Sequence, residues 1–196
     1  MADLPITREQ AVELLKKYNK EEDVSDFNHY YESEAIMRAV AEKIGEDPDY
    51  YGMLGLLHDI DWGITKENTE DHLTKAPEIL KEAGFDTDFI EIIVSHGYGF
   101  PCAGLQDKKR EKKPEYALAA SETLSGLIHA LALMRPEKME GMKVKSLKKK
   151  YKDKTFAKAI NRDIIKEIEN TGMTIEDFFE IAIKAVYDIK DKVGLS

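Results

Sequence analysis

Gly55-Leu56-Leu57-His58-Asp59-Ile60-Asp61-Trp62-Gly63 is an apolar run that ends abruptly in a histidine and two carboxylates. Just before and within it, Tyr51, Met53, Leu54, Leu56 and Leu57 leave no polar face, which is the pattern of a buried helix. His58 and Asp59 then stand at its inner end. Adjacent helical residues point about 100° apart, so this pair shares neither a hydrophobic stripe nor a surface contact. Both side chains can reach a cation beside the helix, where imidazole nitrogen and carboxylate oxygen are good ligands. A helix end capped by solvated polar groups would explain an isolated His-Asp pair equally well. The other histidines must decide.

Working outward, each flanking segment reads as a helix. Thr7-Arg8-Glu9-Gln10 matches a capping box, followed by Ala11, Leu14, Leu15 and Tyr18 on one side. Ser25 or Asp26 can cap a second helix reaching Ile44 before Gly45, with His29, Ser33, Ile36, Val40 and Ile44 on its inward stripe. Asp47-Pro48 starts the helix that leads into His58, and Asp61 to Ile64 is expected to be a loop. Pro77 interrupts the helical pattern of Thr69 to Ala83, so either a helix begins near Thr74, with His72 in the preceding turn, or the helix is kinked. Asp86 caps the next, which carries Phe89, Ile92, Ile93 and His96 inward and ends at Gly97-Tyr98-Gly99-Phe100-Pro101. Gln106 to Lys113 is a charged loop suited to a lid.

Pro114 opens a long apolar helix, Tyr116 to Met134, in which Glu122 sits among Leu118, Ala119, Ala120, Leu124, Leu127 and Ile128. An unpaired carboxylate is costly there, so Glu122 is expected to be protonated, paired with a base or bound to a cation. His129 follows on the same stripe, either as a partner of the site or as an ordinary helix histidine. A short helix over Asn161 to Asn170 and an amphipathic helix from Thr174 to about Val193 complete the chain. The broad apolar face of the last suits packing on the bundle and on a second copy, a homodimer. No strand-like alternation, internal repeat or low-complexity segment is evident, so the fold class is all-α.

Composition bounds the function. A chain of 196 residues suits one sizeable core. Met1-Ala2-Asp3 does not open a leader and no uninterrupted apolar run has membrane-spanning length, so a soluble, cytoplasmic protein with no membrane partner is expected. The lone Cys102 permits no intramolecular disulfide and reads as a packed thiol. Net charge is -9, yet Lys143 to Arg162 holds eight lysines and one arginine against the single acid Asp153. Such a chain is a poor general nucleic-acid binder that can steer a small anion locally, although a solvated lysine-rich face gives the same pattern.

Four of five histidines thus occupy helix ends or inward stripes, joined by Asp59 and Glu122. Several distant histidines converging with carboxylates is how a helical bundle builds an inner metal site.

The order His29, His58-Asp59, His72, His96, Glu122 resembles the HD-domain metal-dependent phosphohydrolase superfamily, an all-helical fold named for its His-Asp pair. Glu34-Ala35-Ile36-Met37-Arg38-Ala39, Gly55 to Asp61, Ser125-Gly126-Leu127-Ile128 and Lys143 to Lys154 resemble a hydrolase subgroup of it. The resemblance implies an HD-domain helical bundle as one domain over 1–196, with a core of about 25–135 and a basic, helical C-terminal extension of about 136–196. It also implies that His29, His58 and Asp59 bind a first metal with a late acid, usually Asp, for which this chain offers Glu122. His72 and His96 match the added ligands of dinuclear members, in which the motif Asp bridges two ions. One or two divalent ions (Mn, Fe, Co, Ni, Zn or Mg) would activate water against the phosphorus of a nucleotide or other small phosphate ester. Asp59 and Asp61 are the candidate catalytic acids, Asp61 for orienting water or moving protons. Trp62, Lys148, Lys149 and Lys150 are candidates for binding a small anionic, phosphorylated substrate. A di-iron HD-type oxygenase and a catalytically silent nucleotide-binding or sensor domain are the competing expectations.

Overall fold

Ordered polar residues at helix starts and glycines or prolines at helix ends divide the chain into short helices around two long ones. In a computed structural model describing residues 4–196, these are α1 (Arg8–Tyr18), α2 (Val24–Ile44), α3 (Pro48–Leu57), α4 (Trp62–Thr65), α5 (Ala76–Glu82), α6 (Thr87–Ser95), α7 (Lys113–Leu133), α8 (Val144–Lys152), α9 (Arg162–Lys166) and α10 (Ile175–Asp188). Thr69–Asp71 and Glu167–Thr171 form 3₁₀ turns, and no strand occurs among the described residues. The fold is all-α. Met1 to Asp3, where no leader was expected, lie outside the described residues.

The caps explain the boundaries. Thr7 and Gln10 exchange the capping-box bonds of α1, Asp47 accepts from the backbone of Asp49 and Tyr50 at the start of α3, and Asp86 accepts from Phe89 N at 2.8 Å. α2 begins at Val24, earlier than the expected cap at Ser25 or Asp26. Asp23 and Asp26 both turn to Lys66 Nζ, at 2.5 and 3.2 Å, so α2 has no side-chain cap. Pro77 falls in the first turn of α5 and leaves His72 in the turn before it, which settles the kink in favour of a late start. Asp61 to Ile64, expected as a loop, includes the start of α4.

The long helices α2 and α7 lie side by side, with α3 and α10 against α2 and with α6, α9 and the second 3₁₀ turn against α7. One cluster of buried apolar side chains runs from Ala11 to Leu195, so the C-terminal helices share the core. α7 is long and apolar enough to cross a membrane by length and composition, but most of that window is buried against its neighbours.

The opening stretch is located by its glycines. A Cβ on Gly55 would come within 2.6 Å of Ser33 O, and one on Gly63 within 2.5 Å of Tyr18 O. The backbone therefore touches α2 before the His-Asp pair and α1 after it. Asn19, buried at the end of α1, accepts from Gly63 N at 2.7 Å and Tyr30 OH at 3.0 Å while its amide donates to Ile60 O at 3.0 Å. Three elements are tied by one side chain.

Candidate metal centre

His29 lies in the second turn of α2, and its Nδ1 sits 2.9 Å from Ser125 Oγ on α7. The Ser125 hydroxyl already donates to Glu122 O at 2.7 Å, so it accepts and His29 Nδ1 donates. His58, at the end of α3, directs Nδ1 to Gly55 O at 2.9 Å, and His96, at the end of α6, directs Nδ1 to Ile93 O at 2.7 Å. His72 directs Nδ1 to Asp61 Oδ1 at 3.1 Å. These acceptors assign the proton to Nδ1 in all four rings and turn Nε2 toward a common centre.

The Nε2 atoms converge in pairs. Those of His29 and His58 are 3.1 Å apart, and those of His72 and His96 are 3.2 Å apart. Asp59 stands between the pairs with its carboxylate divided. Oδ1 lies 3.2 Å from His72 Nε2 and 3.3 Å from His96 Nε2, while Oδ2 lies 3.4 Å from His58 Nε2 and 4.0 Å from His29 Nε2. Two trios of ligand atoms result, His29-His58-Glu122 and Asp59-His72-His96, with atoms of each trio within 4.8 Å of one another.

The donor set fits divalent ions. Burial pushes the His58 ring down to about 3 against the pull of Asp59, so it is neutral, and its only proton is engaged at Gly55. Its Nε2 lone pair then faces that of His29, an arrangement that a shared cation resolves. Burial also opposes ionisation of Asp59, but His58 and the hydrogen-bonded rings of His72 and His96 outweigh it and hold the carboxyl well below the ordinary range. At His72 burial is overcome by hydrogen bonds to Asp59 and Asp61, which raise the ring to about 10. Burial raises Glu122, against nearby His96 and His29 and the Thr123 hydroxyl that donates to it at 2.6 Å. Desolvated carboxylates and imidazoles of this kind are stabilised by a bound cation.

A cavity of about 360 Å³ opens on this centre between Trp62, Phe100 and Cys102. The Trp62 indole lies edge-on to the His72 ring at 5.2 Å, so the expected wall residue does border the site. Asp61 does not. It is fully buried, with Oδ1 on His72 and Oδ2 accepting from Lys75 N and Ala76 N at 3.0 and 3.1 Å, at the start of α5. The carboxylate expected to orient water or move protons is thus placed behind the His72 ring and is absent from the cavity walls. Lys148, Lys149 and Lys150 are likewise absent from the cavity walls. They lie on α8, which packs on α7 and α10, where Lys148 pairs with Glu176 and Lys150 covers the Phe156 ring. His129 joins Glu32 Oε1 at 2.6 Å and takes no part in the centre.

Other parts of the site escaped sequence reasoning. Ser125 stood in a segment that resembles the hydrolase subgroup, but nothing in the sequence pointed to its bond with His29. Arg110, in the loop expected as a lid, is buried and donates to the carbonyls of Ser95, His96 and Tyr98 while clamping Glu167. The loop is thus anchored beside the His96 helix end. Cys102 is buried, and burial raises its thiol, consistent with a packed residue.

Three Ribonuclease Y proteins, from Thermotoga petrophila, Thermotoga sp. strain RQ2 and Thermotoga maritima, are each 28% identical to this chain over 185 residues. The alignments cover 90% of the chain and 33% of each relative, so the chain spans about a third of the length of the curated relatives it matches. No solved structure matches. The HD domain family model matches residues 26–177, from the start of α2 into α10 and across every residue of the two trios. By this match the chain belongs to the HD-domain family, which supports a metal-dependent HD hydrolase in general terms.

Proposed function

We propose that the protein is a metal-dependent phosphohydrolase acting on a nucleotide or another small phosphate ester. The observation that carries this is the common setting of four histidines, each with Nδ1 bonded from behind and Nε2 turned inward, around a carboxylate whose two oxygens serve different pairs. Divalent ions in such a setting lower the pKa of water and polarise a phosphoryl oxygen. His29, His58 and Glu122 would hold one ion, His72 and His96 the other, and Asp59 would touch both. Ser125 and Asp61 keep the imidazoles in the required tautomer. Trp62 and Phe100 supply aromatic walls to the cavity. The charge of -9 and the absence of Lys and Arg from the cavity walls favour a small ester over the RNA that the relatives' name implies.

The test is metal analysis of the protein as purified, then phosphate release from a panel of nucleotides and esters with each metal restored. Bound Mn, Fe, Co, Ni or Zn together with metal-dependent phosphate release is expected. A protein that takes up none of these ions would remove the proposal.

A further inference from the structure

A second cavity, of about 270 Å³, adjoins the centre. Its walls include His29, Thr123 and Gly126 from α2 and α7, and Ala159 to Asn161 from the irregular stretch between α8 and α9. Glu122 and Phe100, a residue 41% exposed, line both cavities, so the two chambers meet beside the metal centre. Neither set of walls contains Lys or Arg, whereas Asp59, Glu70 and Glu122 are all present. With Asp59 and Glu122 engaged by the ions, negative charge beyond the group held at the centre would meet Glu70 and no lysine or arginine to offset it. The far chamber instead offers an aromatic face, Ile160, a glycine surface and the Asn161 amide. These features suit an uncharged body with one or two polar groups.

Resting on the phosphohydrolase reading, we infer that the substrate bears one phosphoryl group at the metal centre and that its uncharged organic body, of nucleoside size or smaller, occupies the chamber between Phe100 and Ile160. Gly126 sets the room available. A Cβ at this position would lie 3.5 Å from Ile160 Cδ1, so a methyl just touches the wall and a longer side chain fills the chamber.

The experiment compares AMP, ADP and ATP as substrates of the metal-loaded protein and of its G126A and G126L variants, with inorganic phosphate as competitive inhibitor. Expected is a kcat/KM for AMP at least 100-fold above that for ATP. KM for AMP should rise in the order Gly, Ala, Leu, by tenfold or more for G126L, while the Ki of inorganic phosphate stays the same. Circular dichroism and metal content confirm that each variant is folded and loaded. Equal use of ATP and AMP, or a parallel change in KM and Ki, overturns the inference and leaves the phosphohydrolase reading intact, whereas preferred cleavage of an RNA oligonucleotide overturns both. No phosphate release from any of the three or from a panel of smaller phosphomonoesters, with any metal, overturns both.

Discussion

Asp61 holds His72 from behind, with Oδ1 3.1 Å from the ring Nδ1, while its other oxygen is fixed by the first backbone N–H groups of α5. The ring is thereby tied to a helix start as well as to its own turn. Asp61→Asn replaces an acceptor by an amide that must set N–H against N–H on one side. Affinity for the ion held by His72 and His96 is expected to fall by about 10 to 100-fold, with the fold retained. Calorimetric titration with Mn²⁺ reads this directly, and an unchanged affinity would refute the positioning role.

The divided carboxylate of Asp59 makes a different prediction. Asp59→Ala should remove bound metal from both halves, whereas His96→Ala should weaken mainly its own half, and His58→Ala the other. Metal-to-protein ratios after gel filtration distinguish these cases. Equal losses in all three variants would show that the halves do not bind separately.

Replacing Lys148, Lys149 and Lys150 together by Ala is expected to leave KM unchanged, because α8 does not border the cavity. Loss of the exposed, solvent-screened pair with Glu176 should leave stability nearly unchanged. A severalfold rise in KM would return these lysines to substrate binding.

Asn19→Ala tests the junction of α1, α2 and the segment after the His-Asp pair. Tyr30 OH, Gly63 N and Ile60 O would lose their partner in a buried setting. The expected loss is about 3 kcal/mol. For a chain of this size that is a fall in Tm of roughly 6–12 °C, measurable by thermal melting.

The pair formed by Glu32 and His129 should make stability depend on pH away from the metal centre. The hydrogen bond to buried Glu32 raises the His129 ring above its ordinary value, outweighing partial burial. A raised folded-state pKa gives stability that is complete below the unfolded value near 6.5 and is lost as pH climbs through the folded value. The Tm advantage of the parent over Glu32→Gln should accordingly be largest near pH 6 (about the unfolded His value) and shrink toward pH 9. An advantage that grows with pH would contradict the pairing.

Much of the centre was legible because its residues break local rules. His58 and Asp59 end an all-apolar helix, His29 and His96 fall on inward stripes, and Glu122 lies in an apolar one. Each is anomalous at helical spacing. What could not be read depends on which segments meet. Asp61 looked catalytic because it is an acid two residues from Asp59, and only the approach of Lys75 and Ala76 turns it into a ring holder. The lysines of α8 form a conspicuous charge run, but the charge count is silent about direction, and the partner Glu176 comes from the far end of the chain. Asn19 and Ser125 are ordinary polar residues until the helices that face them are in place. Arg110 was hidden in a charged loop, where a buried arginine and a solvated one look the same.

The four imidazoles are not held by the same means. His58 and His96 bond to carbonyls three residues back in their own helices, at Gly55 and Ile93, so their orientation follows wherever the helix forms. His29 and His72 rely on Ser125 and Asp61, side chains supplied by distant or separately anchored segments. Each half of the centre therefore pairs a self-orienting ligand with a borrowed one. Substitution at Ser125 or Asp61 can detune one half by degrees while the other keeps its grip. Mutational drift could thus adjust the two affinities one at a time, without passing through a chain that has lost its metal chemistry.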